Sequence, residues 1–108
     1  MASMLFAFSV APSVADETGS MSTAVADAIA VVRKSGLPYE LTSMFTTIEG
    51  EWDQVMPVIK EACEAVAKHG PRVSLVVKAD LHPGFSGQIT EKVERVLAHL
   101  DGQGDAEA

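Results

Sequence analysis

Two carboxylates and three hydroxyls share one side of the strand-like runs in this 108-residue sequence: Ser9, Glu40, Thr42, Thr47 and Glu49. Period-two alternation turns Phe6, Phe8, Val10, Leu41, Ile48, Val73, Leu75 and Val77 one way. Ala7, Ser9, Glu40, Thr42, Met44, Thr47, Glu49, Ser74, Val76 and Lys78 then turn the other way. A reversal at Met44-Phe45 would set Glu40 directly opposite Glu49. Like charges at that spacing repel unless a cation lies close, and either Lys78 or a positively charged ligand would supply one. The two glutamates could also form an acid/base pair, but no third group supports them. The expected chemistry is binding, and the chain is read as not an enzyme.

Other reactive residues are scattered. His69, His82 and His99 stand at no ligand spacing with one another, with Cys63 or with a carboxylate, so no metal site is expected. Cys63 falls on an apolar helical stripe, where it reads as a core thiol. Trp52 opens the same stripe and is also expected in the core, with its indole N–H needing a partner. There is no glycine-rich phosphate loop and no nucleophile elbow. No catalytic residue and no resident cofactor are expected.

Composition narrows the partners. A formal charge of −7 without a Lys/Arg cluster argues against nucleic acid and against anionic membranes. The single cysteine excludes an intrachain disulfide and fits a reducing, cytoplasmic location. The apolar opening at residues 5–10 imitates a short signal peptide, but it lacks a basic flank and meets Pro12 at once. A strand explains it better.

The elements that must position these side chains follow from periodicity and stop signals. A strand over 4–10 and a loop over 12–20 lead to a helix that Ser20 or Ser22 could cap and that stops at Ser35-Gly36. Runs at 39–43 and 46–49 form a hairpin whose turn lacks the Gly or Asn of a tight primed turn. A second helix follows Gly50, with Trp52, Val55, Met56, Ile59, Ala62, Cys63 and Val66 on its apolar side and a kink expected at Pro57. It stops near His69-Gly70-Pro71, ahead of a strand at 73–78 and a loop at 82–84. A last helix spans about 87–100, and the acidic, Gly-containing tail 101–108 is expected to be disordered.

This order, βαββαβ plus a C-terminal helix, predicts an α+β, ferredoxin-like single domain over 1–100. Its antiparallel sheet carries two helices on one face. The opposite face and the last helix lack an intrachain partner, which points to a homo-oligomer.

The central segment carries a family resemblance. Residues 35–44, SGLPYELTSM, and 46–56, TTIEGEWDQVM, resemble the thiamine-binding family. Phe8-Ser9-Val10 followed by Pro12, and Thr90-Glu91-Lys92-Val93-Glu94, match its opening and closing motifs. The resemblance implies ferredoxin-like subunits whose dimers pair through their sheets into a homotetramer. It also implies binding of thiamine or its pyrimidine portion without turnover, as a carrier, reservoir or sensor. On that reading Ser9, Thr42, Thr47 and Glu49 make the polar contacts and Glu40 balances the charge of a small cationic or pyrimidine ligand. The alternative is an oligomeric interaction module without a small-molecule ligand. Two positions depart from the family pattern. Ser43-Met44-Phe45-Thr46 stands where Pro-Met-Gly-Thr is common, and Pro57 interrupts the second helix.

Overall fold

The computed structural model describes residues 4–14, 19–82 and 84–107. Residues 15–18 of the expected loop, Pro83 of the next loop, and residue 108 of the expected tail lie outside the described residues. The elements are β1 (Met4–Pro12), α1 (Ser22–Ser35), β2 (Tyr39–Leu41), β3 (Thr46–Gly50), α2 (Trp52–Ala67), β4 (Val73–Leu81) and α3 (Gln88–Glu107). The strands form one antiparallel sheet in the order β2-β3-β1-β4. The fold is α+β and ferredoxin-like, as the element order predicts.

Local chemistry sets the helix ends. Ser20 Oγ accepts the Ser22 N–H at 3.0 Å at the start of α1. Gly36, at φ 75°, ends α1 in the left-handed conformation that glycine adopts without strain. At the head of α2 the Glu51 N–H donates to Gln54 Oε1 at 3.0 Å. Gly50 lets that turn approach the sheet, since a Cβ there would lie 3.0 Å from Val55 Cγ2. α2 continues as one helix through Pro57 to Ala67.

One face of the sheet packs on α1 and α2. Phe6, Phe8, Val10 and Ile48 from the strands meet Ala24, Ala28 and Val32 of α1 and Val55, Ile59, Ala62 and Val66 of α2. Burying each valine, isoleucine or phenylalanine side chain of this set contributes about 1.5–3 kcal/mol. Leu41 and Leu75 belong to this face in register, but they lie near strand ends and remain exposed. Trp52 departs from expectation: it packs its ring edge-on to Phe6 at 5.7 Å, yet it is 48% exposed. It occupies the first helical position, ahead of the turn that faces the core. Cys63 is only half-buried, and that burial raises its thiol pKa.

Three further expectations are corrected. The hairpin pairs Leu41 with Thr46 and Glu40 with Thr47, so Glu40 does not face Glu49. Bonds between Thr42 and Phe45 close the turn around Ser43 and Met44, one residue earlier than expected. The segment expected as a disordered tail continues α3 through Glu107. Its backbone ladder propagates from the turns before it, which costs less than starting a new helix. Finally, α3 is not unpartnered: its first turns lie on the sheet face opposite α1 and α2.

Candidate functional site

The outer face of the sheet is built by register. Thr47 pairs with Glu40 on β2 and with Ala7 on β1, and Ala7 pairs with Lys78 on β4. One row therefore crosses all four strands as Glu40, Thr47, Ala7 and Lys78. In the next row Glu49 pairs with Leu5 and Leu5 with Asp80. Alternation aims every one of these side chains away from the main core.

Glu49 is spent on the architecture. It is only 5% exposed. Its Oε2 accepts the Gln88 N–H at 3.1 Å and its Oε1 accepts the Ile89 N–H at 3.0 Å. Those are the first donors of α3, which the preceding residue, Gly87, has no side chain to cap. A strand carboxylate thus caps a helix 39 residues downstream and sits at the positive end of its dipole. Gln88 is buried beside it and fully engaged. Its Nε2 donates to Ser86 O and to Glu91 Oε2, while its Oε1 accepts from Arg95 at 2.7 Å.

A second contact ties α3 to the far strand. Lys92 Nζ donates to Asp80 Oδ2 at 2.6 Å. That hydrogen bond, helped by the lysine's charge, holds the Asp80 carboxyl below the ordinary aspartate pKa. The pair is half-exposed, so it acts as a strut and adds little stability.

Between the strut and the row lies an open cleft of about 430 Å³, lined by Leu5, Ala7, Thr47, Lys78, Asp80 and Lys92, together with Ala79. A volume of this size suits a small ligand. Small apolar groups form its floor, a hydroxyl and two ammonium groups its polar points, with one carboxylate among them. No described residue forms an ion pair with Lys78. Glu40 lies one strand beyond Thr47, exposed at the edge.

The expected site residues therefore part company. Thr47 lines the cleft and Glu40 adjoins it. Glu49 lies under α3. Ser9 pairs with Val76 on β4, beyond the end of β3. Ser9 and Thr42 instead line a second, mostly apolar hollow of about 210 Å³ between β1, α1 and the hairpin tip. Thr42 Oγ1 donates to Phe45 O at 2.6 Å, so its hydroxyl fastens the turn. Phe45, the departure from the family pattern, borders this hollow and not the outer cleft. Sequence reading missed Asp80 and Lys92, although alternation past Lys78 would have placed Asp80 on the outer face. Among the described residues no three His, Cys, Asp or Glu side chains gather to hold a metal, and no helix is long and apolar enough to cross a membrane.

Comparison with known proteins agrees with this fold. The family model described as thiamine-binding protein matches residues 6–97. A UPF0045 protein of Mycobacterium bovis is 48% identical over 100 residues, covering 91% of this chain and 95% of that one. A Bacillus cereus domain of unknown function superposes with a TM-score of 0.70 at 32% identity, over 82% of this chain and 86% of its own. A Thermotoga maritima protein provisionally assigned to thiamine biosynthesis or salvage superposes with a TM-score of 0.74 at 25% identity, over 87% of this chain and 98% of its own.

Proposed function

Because this chain belongs to the thiamine-binding protein family, we propose that it binds thiamine, or the pyrimidine portion of thiamine, in the outer cleft without turning it over. The observation that carries this reading is the four-strand row Glu40, Thr47, Ala7 and Lys78, in which Thr47, Ala7 and Lys78 line a cleft of ligand size and Glu40 stands next in the row. Planar rings rest on Leu5 and Ala7. The Thr47 hydroxyl offers a donor and an acceptor to an aminopyrimidine, and Glu40 offers the one strand carboxylate on this face that neither caps a helix nor pairs with a lysine. Glu49 acts indirectly, by holding α3 over the cleft.

Binding without turnover is supported by what lines the cleft. The single cysteine lies on α2, against the other face of the sheet, with its thiol pKa raised, and the carboxylate that lines the cleft, Asp80, is held by Lys92. The chain is proposed to work as a homo-oligomer, since α3 presents an exposed apolar stripe.

Isothermal titration with thiamine and with hydroxymethylpyrimidine tests the site. Saturable binding at one ligand per chain is expected, and Thr47→Phe, which fills the middle of the row, should weaken it at least about tenfold, a loss of about 1.4 kcal/mol. Unchanged affinity in a folded Thr47→Phe protein would move the site to the hairpin hollow. No binding by the wild type would remove the ligand reading and leave the alternative, an oligomeric interaction module.

A further inference from the structure

The charges around the outer cleft are arranged by strand, and their order is informative. Of the three carboxylates that the strands carry on this face, Glu49 is held by two α3 amides and Asp80 by Lys92. Glu40 stands at the β2 end of the row and Lys78 at the β4 end. Three interstrand steps of about 4.8 Å separate their backbones by about 14 Å. Lys92 adds a second ammonium on the Lys78 side, but the Asp80 carboxylate that it holds offsets that charge, so Lys78 is the net positive group there. A ligand whose only charge is a ring cation would bring no counter-charge to Lys78. One that also bears an anion would satisfy both ends of the row at once.

Resting on the proposed site, we propose that the preferred ligand is a phosphomonoester of a cationic heterocycle, its phosphate on Lys78 and its cationic ring toward Glu40. Lys78 supplies a strong donor to the phosphate, while Lys92 stays on Asp80 and offsets the repulsion of that carboxylate. The apolar floor of Leu5 and Ala7 lies between the two charged ends and takes the rings.

Titration of the full chain with thiamine, thiamine monophosphate and inorganic phosphate tests this, with Lys78→Met and Lys78→Arg as variants. The expected result is that thiamine monophosphate binds at least about tenfold tighter than thiamine, since one charge-assisted hydrogen bond suffices for that ratio. Lys78→Met should bring the ratio toward one, Lys78→Arg should keep most of it, and added salt should shrink it. Equal affinities for the two thiamine forms would overturn the phosphate assignment while leaving the proposed function standing. Inorganic phosphate binding as tightly as the ester would overturn the heterocycle half. If neither thiamine form binds, this inference falls, and the proposed function falls with it unless hydroxymethylpyrimidine binds.

Discussion

Glu49 illustrates how residue type and residue role come apart. Alternation places it on the outer face, and the structure keeps it there, but its two oxygens accept the Gln88 and Ile89 amides. Nothing near Glu49 in the chain announces that partnership, because the donors lie 39 and 40 residues away. The only local trace is a missing one, as Gly87 precedes α3 without a capping oxygen. Thr47 was legible because its neighbours alternate cleanly. Ser9 and Thr42 were legible as polar strand residues, but which hollow they line depends on where β3 ends. Glu49→Gln should therefore act on stability first. Its amide would turn a donor toward one of the two N–H groups, costing about 1–3 kcal/mol in denaturant unfolding. Faster hydrogen exchange at Gln88 and Ile89 should accompany that loss.

At the scale of elements the order of strands and helices followed from periodicity alone, and the boundaries did not. The hairpin register was misread by two because the turn residues lack a glycine signal and Thr42 fixes the reversal by bonding to Phe45. The C-terminal helix was cut short because Gly102 and Gly104 each disfavour a helix by about 1 kcal/mol, which the preceding turns outweigh. Pro57 is the sharpest conflict between local preference and final structure. It lies inside α2, where it withholds the N–H that would reach the Asp53 carbonyl. Pro57→Ala should restore that bond and relieve the ring's clash, offset in part by a freer unfolded chain. A net gain of about 2 kcal/mol is expected, read as a higher midpoint in thermal unfolding.

At the scale of the molecule the chain is extended for its length. Its radius of gyration is 16.5 Å, whereas a compact domain of this size has about 13 Å. Val93, Val96, Leu97 and Leu100 lie three and four residues apart along α3, each between 50% and 58% exposed. That spacing makes one stripe, and it follows the turns that touch the sheet. If a second copy covers the stripe, Val96→Asp should lower the mass seen by light scattering while circular dichroism stays unchanged. In a chain that is already a monomer the same change would leave the mass as it was and alter stability by no more than about 0.5 kcal/mol. The long-range cap on α3 also couples the two ends of the fold. The first turn of this helix has its acceptor only where β3 is in place, so a change that loosens β3 should fray the start of α3 as well.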